Sequence, residues 1–506
     1  MPSLLGIDCG LTVTKAVVFD VDGSVLSVAR RRIPQLMPKP HHVERDMHAL
    51  WAGTAEAIRE AIANSGRPAV DIVVVAATAH GDGLYLMDRE RRPLGHGILS
   101  LDSRAEEIIS DWQASGKSVR ALELTGQSPA SPASSSLLAW IKVHEPERFA
   151  RIGHVLSCKD WLRFCLCGSI GTDRTEASVS FTDVNTQLYS YEALELYGLS
   201  DLRPALPPIA ECADIVGQIT CEAAATTGLV TGTPVAAGLH DVTASALGIG
   251  GHKPGIVAVV AGTYSINQVV SSAPVIGTDW LCRNAVQPGL WNNMSISPAS
   301  SANYDWFLDT LCKSEQIAAA QKGNSVHEAI AEEINAALSK PSSLLFHPYL
   351  FGSPFGGEAS AAFFGLRGWH DRGTMLRSVL EGVIYNHRIH IDSLKTRFEF
   401  NSAMLTGGPS RSAVFNQLFA DIINMPVTVT QTEEAAAWGA ALCAGASVGL
   451  FVSPLADPRD MAAMSKTYLP DAERAVTHDK RFLLFHAMAE AMKPYWPQLE
   501  GLVEKV

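Results

Sequence analysis

Short apolar runs alternate with longer Ala- and Leu-rich stretches along most of the chain, and each apolar run ends at glycine or polar residues. The apolar runs, which are typical of buried β-strands, fall within residues 4–8, 13–20, 25–28, 71–78, 235–237 and 255–270. The Ala- and Leu-rich stretches, which are typical of helices, include residues 51–63, 137–143, 242–250, 414–423 and 482–492. This alternation predicts an α/β protein.

The run at residues 235–237 ends at Gly238, and His240 and Asp241 lie where the next helix is predicted to begin. α/β proteins place working residues at such a turn from strand to helix. Asp241 is therefore the first candidate for a catalytic residue. The alternative is that Asp241 only caps the helix, because an aspartate side chain accepts hydrogen bonds from the free N–H groups of a first helical turn.

The N-terminal run predicts a strand, a tight polar turn and a second strand, with Asp8, Gly10, Thr12, Thr14 and Lys15 around the turn. Backbone N–H groups and hydroxyls in such a turn can surround a phosphate. Asp8 can hold a hydrated Mg²⁺, a cation that prefers carboxylate and water oxygens. Lys15 either adds positive charge at the phosphate or lies on the strand surface. Taken locally, the segment is also an ordinary β-hairpin.

A second strand–turn–strand unit with Gly262 and Thr263 at its turn echoes the first one. Farther on, a strand runs into Gly407-Gly408 and then into a helix at residues 414–423, after which a small-residue stretch covers residues 433–441. Glycine lets the backbone approach a ligand closely, and a helix N-terminus favours anionic groups. The pattern indicates a nucleotide site, although a Gly-Gly turn by itself is only a loop.

Polar residues also follow the strand at residues 71–78, where the chain continues as His80-Gly81-Asp82-Gly83. A polyhydroxylated ligand needs donors and acceptors held on rigid elements, which this arrangement offers. A lone histidine at the edge of an apolar segment is otherwise a packing residue. Two histidines one helical turn apart, His387 and His390, have no third ligand in suitable spacing and are interpreted as surface or packing residues.

Composition narrows the class of protein. A chain of 506 residues is too long for one core and predicts two domains. The net charge of −12 without a basic tract argues against nucleic acid as the main partner. The nine scattered cysteines are typical of a reducing compartment. The N-terminus enters a strand almost at once, so no signal peptide is expected, and no apolar run reaches the ~18–20 residues of a membrane span. A cytoplasmic protein is expected.

The turn from Asp8 to Lys15 resembles the first phosphate motif of the actin/hexokinase/Hsp70 ATPase superfamily. With the other motifs in order, residues 4–450 resemble the FGGY family of carbohydrate kinases. Leu11 and Thr374 depart from the family pattern. The resemblance implies two ribonuclease-H-like domains with mixed sheets flanked by helices and an active-site cleft between them. The expected boundaries are 1–244 for sugar and phosphate binding, 245–455 for nucleotide binding and 456–506 for a helical extension.

The resemblance also implies roles for individual residues. Asp241 is the expected catalytic base, and Asp8 anchors Mg²⁺ through water. The expected substrate contacts are His80, Asp82, Asp102, Arg104, Trp161 and His240. A place in the core explains Trp161 nearly as well, and a helix cap explains its neighbour Asp160 nearly as well. The expected contacts to ATP are Gly10, Thr12, Thr14, Lys15, Gly262, Thr263, Gly407, Gly408, Ser410 and Asn416.

The expected activity is ATP-dependent phosphorylation of a small sugar or polyol, such as the ketopentose L-xylulose or the tetritol erythritol. D-Xylulose, ribulose and glycerol are alternative acceptors. An actin-superfamily ATPase that switches the binding of a protein partner is an alternative of another class, and a sugar-binding regulator with a dead active site is a third. A homodimer would be usual for the family.

Overall fold

The computed structural model describes residues 1–323, 326–432 and 434–502, without the side chain of residue 328. Residue 433 of the predicted small-residue stretch and residues 503–506 of the predicted C-terminal extension lie outside the described residues. In the described part of the chain, none of the helices is both long and apolar enough to cross a membrane.

The described strands are β1 Ser3–Cys9, β2 Val13–Asp20, β3 Val25–Arg32, β4 Glu44–Arg45, β5 Ile72–Ala79, β6 Tyr85–Met87, β7 Gly97–Ile98, β8 His154–Leu156, β9 Thr172–Asp173, β10 Ile209–Ala210, β11 Ile215–Gln218, β12 Pro234–Ala236, β13 Leu239–His240, β14 Val257–Ala261, β15 Ser265–Ser271, β16 Leu281–Asn284, β17 Trp291–Ser297, β18 Leu345–His347, β19 Ala362–Phe364, β20 Ala403–Thr406, β21 Val427–Thr430 and β22 Ser465–Tyr468.

The described α-helices are α1 Met47–Asn64, α2 Glu106–Ala114, α3 Lys117–Thr125, α4 Ser134–His144, α5 Pro146–Ala150, α6 Cys158–Cys167, α7 Arg174–Ala177, α8 Tyr191–Leu196, α9 Cys221–Thr227, α10 Asp241–Gly248, α11 Ser301–Leu311, α12 Lys313–Gln321, α13 Val326–Leu338, α14 Arg372–Lys395, α15 Ala413–Ile423, α16 Ala435–Ser447, α17 Ala472–Met492 and α18 Trp496–Glu500. The predicted strands and helices are confirmed, with ends that differ by up to ten residues, the largest difference being the start of α17.

The chain forms two compact units, each made of three separate stretches. The first unit contains Met1–Pro254, Val270–Asn293 and Thr432–Met461. The second unit contains Gly255–Val269, Met294–Gln431 and Ala462–Val506. This division groups residues by their contacts and does not test the domain boundaries expected from the sequence. Those boundaries stay a prediction.

A seven-stranded mixed sheet forms the centre of the first unit. Its strand order is β11-β12-β5-β1-β2-β3, and β13 also pairs with β5. Strand β1 is antiparallel to β2 and parallel to β5, and β13 is parallel to β5. The carboxyl ends of β1, β5 and β13 therefore lie at one edge of the sheet. Asp8 lies near the end of β1, His80 directly follows β5, and Asp241 directly follows β13.

Helices cover both faces of this sheet. Because side chains alternate between the faces along a strand, Leu5 and Ile7 of β1 pack in a core with residues of α1 and α6. Leu4 packs on the opposite face with residues of α10 and α16. This layering explains why β1 is apolar along nearly its whole length instead of alternating with polar residues.

Helix α16 packs closely against α10 and β1 of the same unit. A Cβ added to Gly439 would lie 2.1 Å from the carbonyl oxygen of Ala244, and one added to Gly248 would lie 2.0 Å from that of Ala435. Even alanine at either glycine would therefore push the two helices apart. The small-residue stretch thus forms a tightly packed helix, and its close neighbours are α10 and β1.

The second unit repeats the arrangement of the first. Strand β14 is antiparallel to β15 and parallel to β20, and β20 is in turn parallel to β21. The β14–β15 hairpin with its parallel neighbour β20 thus corresponds to the β1–β2 hairpin with β5. The echo predicted between the two Gly-Thr hairpins is confirmed as a repeat of topology.

His387 and His390 of α14 are buried packing residues. The Nδ1 atom of His387 lies 2.9 Å from the side-chain oxygen of Asn267, and the Nε2 atom of His390 lies 2.9 Å from the hydroxyl of Ser297. Burial lowers the pKa of His387 to about 3, so the ring is neutral. Of the two expected positions, surface or packing, the structure shows packing, and a polar network holds both rings.

Candidate functional site

Asp241 is the first residue of α10, and His240 occupies the N-cap position without making a side-chain capping bond. The Asp241 carboxyl group is 26 % exposed, and one of its oxygens lies 3.6 Å from Nε2 of His240. Asp8 stands near the end of β1, with its carboxyl group 3.5 Å from the Lys15 ammonium. His240 and not Asp241 holds the N-cap position, but the Asp241 carboxyl group accepts a hydrogen bond from the Val242 backbone, so the alternative that Asp241 only supports the start of the helix stays a prediction.

Burial raises the pKa of Asp241 to about 8, and the negative charge of Asp8 adds to the rise. A hydrogen bond from the Val242 backbone acts in the opposite direction. A group with a pKa near the working pH is well suited to accept a proton. Burial also raises the pKa of Asp8, against the lowering effect of Lys15.

We expect Asp241→Asn to stabilise the ligand-free protein by an amount that grows with pH. The pKa of the carboxyl group is 3.8 in the unfolded chain and about 8 in the folded one. Between these values the native state binds more protons than the unfolded state, so wild-type stability falls as the pH rises. Denaturant unfolding of both proteins from about pH 4 to about pH 9 measures the difference. A difference that does not change with pH contradicts the assignment.

Two neutral imidazoles, those of His80 and His240, belong to the same sheet edge as Asp241. The backbone N–H of His240 donates to the Thr175 hydroxyl at 2.9 Å, and the backbone N–H of His80 donates to the Cys9 carbonyl at 2.9 Å. Burial lowers the pKa of both rings, that of His80 to about 3. Because a Cβ on Gly81 would lie 1.8 Å from Nε2 of His240, any other residue at position 81 would displace this ring.

A buried cluster of charges supports the strand end that carries His240 and Asp241. The fully buried Lys159 ammonium lies 2.6 Å from Asp160 and 3.1 Å from Asp173, and it donates to the Ala237 carbonyl at 3.1 Å. Asp173 in turn accepts the Thr175 hydroxyl at 2.6 Å. A chain of polar contacts thus leads from Lys159 to the His240 backbone. No local pattern indicated this pairing, because Lys159 and Asp173 belong to different elements.

Two cavities of the first unit adjoin Asp82. Counting all the space between atoms, including space open to solvent, one cavity measures about 450 Å³ and the other about 360 Å³; by this measure they are called the larger and the smaller cavity. Residues lining the larger cavity are Asp82, Gly83, Ser134, Val155, Leu156, Ser157, Asp160, Thr172, Glu176, Ala177, Val179, Ser180, Phe181, Tyr189, Leu206 and Pro207.

Asp82 has left-handed backbone geometry, with φ of 55°. Its carboxyl group lies 3.2 Å from the Arg283 guanidinium, which also donates to the Gln127 side chain at 2.9 Å. Arg283 and Gln127 line the smaller cavity. Sequence reasoning missed Arg283 and Gln127, since neither of them stands in a glycine-rich turn or at the end of a strand of the main sheet.

Asp102, Arg104 and Trp161 are not among the described residues that line either cavity. The Arg104 guanidinium lies 2.7 Å from both Asp102 and Glu44, and Asp102 accepts the Val43 N–H at 2.7 Å. The indole of Trp161 is buried and donates to the Met47 carbonyl at 3.0 Å. These contacts fix the loop before α1, and the substrate role of the three residues stays a prediction.

The turn between β1 and β2 presents some of its predicted phosphate contacts and buries others. Thr12 is exposed, and Lys15 is partly exposed and lies 2.9 Å from Glu434. The Gly10 N–H donates to the Val13 carbonyl at 3.0 Å. Thr14 is buried and its hydroxyl contacts Cys9, so this hydroxyl faces the core. The buried Arg45, which sequence reasoning did not assign to the turn, donates to the Gly10 and Leu11 carbonyls.

The second unit brings its own predicted nucleotide contacts together where β14 and β20 end. Gly407 has φ of 114°, and a Cβ there would lie 2.1 Å from the Ala261 carbonyl oxygen, next to Gly262 and the exposed Thr263. Nothing lies within 4 Å of a Cβ built on Gly408. The Ser410 hydroxyl donates to the Gly407 carbonyl at 2.7 Å.

Asn416 supports this loop from α15. Its side-chain amide donates to the Ser410 carbonyl at 2.8 Å. Its Oδ1 atom is buried and has no hydrogen-bond partner among the described residues. Asn416 therefore stabilises the loop through its amide nitrogen. Its contact with the nucleotide stays a prediction.

The residues around Asp8 fit a magnesium ion that keeps most of its water. Among the described residues, no three His, Cys, Asp or Glu side chains are grouped so that they could hold a metal ion directly. The Asp8 carboxyl group is 15 % exposed and feels the charge of Asp241. Mg²⁺ commonly binds through one or two carboxylates, waters and substrate phosphates, so this donor set suits it.

Comparison with known proteins supports the family resemblance found in the sequence. The profile of the FGGY family of carbohydrate kinases matches with its N-terminal domain at residues 3–248 and with its C-terminal domain at residues 257–448. The chain is 33 % identical to the L-xylulose/3-keto-L-gulonate kinase of Escherichia coli (strain K12), over 98 % of each chain. It is 28 % identical to the erythritol kinase of Brucella abortus (strain 2308), over 98 % of this chain and 97 % of that one.

A solved structure has the same fold. The ligand-bound xylulose kinase of Lactobacillus acidophilus superposes with a TM-score of 0.87 at 22 % identity, covering 99 % of this chain and 100 % of the other. At this identity the likeness bears on the fold alone. Together with the two family domains, which cover most of the chain, it agrees with the repeated mixed sheets described above. The protein belongs to the FGGY family of carbohydrate kinases.

Proposed function

We propose that the protein transfers the γ-phosphoryl group of ATP to a hydroxyl of a small ketopentose such as L-xylulose, or of a tetritol such as erythritol. The observation that carries the proposal is Asp241, a carboxyl group with a raised pKa at the start of α10, in the same unit as a cavity lined by Asp82 and Glu176. Relatives named as an L-xylulose kinase and an erythritol kinase support this choice of acceptor.

Phosphoryl transfer requires positioning, charge neutralisation and a group that receives the hydroxyl proton. We assign the last role to Asp241. Asp8 would hold Mg²⁺ through water, and the ion when bound supplies positive charge at the phosphates. His80, Asp82 and His240 would orient the acceptor. The buried chain from Lys159 to the His240 backbone would keep Asp241 in place during the transfer.

The phosphate and nucleotide contacts in the two units belong to the same proposal. They are Gly10, Thr12 and Lys15 in the first unit, and Gly262, Thr263, Gly407, Gly408, Ser410 and Asn416 in the second. The predicted contact of Thr14 is left out, because its buried hydroxyl bonds Cys9. We also place the protein in the cytoplasm as a homodimer. All nine cysteines are free, which is consistent with a reducing compartment.

An ADP-release assay with Mg-ATP and a panel of acceptors tests the function. The panel contains L-xylulose, D-xylulose, ribulose, erythritol, the pentitols and glycerol. We expect L-xylulose or erythritol to give the highest kcat/KM. A stronger response to D-xylulose, ribulose or glycerol would move the acceptor within the family. ATP hydrolysis that none of these compounds stimulates, but a protein partner does, would refute the proposal in favour of a partner-regulated ATPase.

A further inference from the structure

The Lys15 ammonium lies between two carboxyl groups of the first unit. Lys15 of β2 stands directly opposite Asp8 of β1 in the antiparallel register. Its Nζ atom nevertheless lies 3.5 Å from the Asp8 carboxyl group and only 2.9 Å from Oε2 of Glu434. Opposite charges that face each other across two strands attract one another. Glu434 therefore competes with Asp8 for the ammonium and is the closer partner.

Glu434 is a buried carboxyl group that needs nearby cations. Its side chain is 2 % exposed, and one of its oxygens forms an ion pair with the half-exposed Arg30 guanidinium of β3. Apart from its ion pair with Lys15, the other oxygen, Oε2, has no hydrogen-bond partner among the described residues. A buried charge that loses its partner is strongly unfavourable. Glu434 therefore binds the Lys15 ammonium tightly.

The position of Lys15 affects how well Asp8 can hold a metal ion. Hydrated Mg²⁺ binds carboxylates together with its waters, and an ammonium in direct contact with Asp8 would compete for the same oxygens. A charge-assisted hydrogen bond between nitrogen and oxygen is about 2.7–2.9 Å long. The contact of Lys15 with Glu434 falls in this range, whereas its contact with Asp8 is longer. Asp8 is thus left weakly paired, as the binding of a cation requires.

We propose that Glu434 is a positioning residue that retains the Lys15 ammonium, so that Asp8 stays available to a hydrated divalent cation. Glu434 itself touches neither the ion nor the nucleotide and acts through Lys15. This inference rests on the proposed function, since it concerns the metal of the same site. It gives a role to a residue of the small-residue stretch that the local pattern left without one.

The binding of ADP with and without a divalent cation tests the proposal without any acceptor. Titration calorimetry with EDTA and with saturating Mn²⁺ gives two Kd values for ADP, and the ratio of the first to the second is the contribution of the metal. We expect Glu434→Gln to lower this ratio by about fivefold, the effect of an ion pair that closes between Lys15 and Asp8. Glu434→Asp keeps the charge and should recover most of the ratio. Glu60→Gln removes a carboxylate that pairs with Arg31 of β3 at 2.6 Å, and this matched control should leave the ratio unchanged.

A double-mutant cycle shows whether Glu434 acts through Lys15. In the Lys15→Met background no ammonium can pair with Asp8, so adding Glu434→Gln should change the ratio by less than about twofold. An equal reduction in both backgrounds, or a ratio for Glu434→Gln within about twofold of wild type, would overturn the inference. Glu434→Ser replaces Glu434→Gln if that variant does not fold.

Measurements on the wild-type protein separate this inference from the function on which it rests. If Mn²⁺ does not strengthen ADP binding to the wild type, the metal role of Asp8 fails, and the inference fails with it. If Mn²⁺ strengthens binding to the wild type but Glu434→Gln leaves the ratio unchanged, only the inference fails. The acceptor panel tests the kinase function by itself.

Discussion

Replacing Asp241 with Asn should lower turnover by about 10²–10⁴-fold, the usual contribution of a positioned base. Asparagine has nearly the shape of aspartate and keeps an oxygen for the Val242 backbone. It cannot accept the proton that the acceptor hydroxyl loses on attack. The start of α10 and the His240 contact to Thr175 do not depend on the carboxylate, so the fold and ATP binding should be retained.

Steady-state ADP release and ATP titration calorimetry measure the two quantities separately. Asp201→Asn is the matched control, because it makes the same change at a carboxyl group that is 72 % exposed and pairs with Lys142. Turnover of Asp241→Asn within about threefold of wild type would remove Asp241 from the role of base. Loss of ATP binding along with turnover would instead assign it to the binding of the nucleotide.

Replacing Lys159 with Met should destabilise the first unit by about 3–5 kcal/mol, the usual result of removing one partner from a buried ion pair. Lys159 is fully buried and lies between Asp160 and Asp173, both of which are also buried. Methionine fills most of the space but leaves two carboxylates without their cation. It also removes the donor to the Ala237 carbonyl, next to the strand that carries His240.

Denaturant unfolding would measure this loss of stability. Hydrogen exchange at the amides of β12 and β13 would show that the loss occurs in the first unit. Lys142→Met is the control, since Lys142 pairs with Asp201 at 2.8 Å on the surface, where an ion pair is worth about 0–1 kcal/mol. A loss no larger than that of the control would mean that the cluster relaxes without Lys159. The supporting role assigned to it would then fall.

Local patterns were sufficient for the elements and for several of the site residues. The hairpins β1–β2 and β14–β15 were predicted because strands, tight glycine turns and buried apolar runs are short-range features. The place of Asp241 at the start of a helix followed from the strand before it. The family resemblance then supplied the expected roles, which no local pattern contains.

The pairings between distant segments could not be predicted in this way. An apolar or polar pattern indicates which side chains are buried but not which ones meet. Asp82 and Arg283 are 201 positions apart, and Lys159 meets Ala237 across 78 positions. Asp102 and Arg104 were predicted to contact the sugar. In the structure Arg104 forms ion pairs with Asp102 and Glu44, and neither Asp102 nor Arg104 lines a described cavity.

By itself, the sequence determined the α/β class, the two glycine-turn hairpins, the position of Asp241 and the family. Only the tertiary structure decided that α16 packs on α10 and β1 in the first unit, that Lys159 joins Asp160 and Asp173, and that the buried Glu176 lies beside a cavity. The physical reason is that burial follows from local hydrophobicity, whereas the partner of a buried polar group depends on which segments converge once the whole chain has folded.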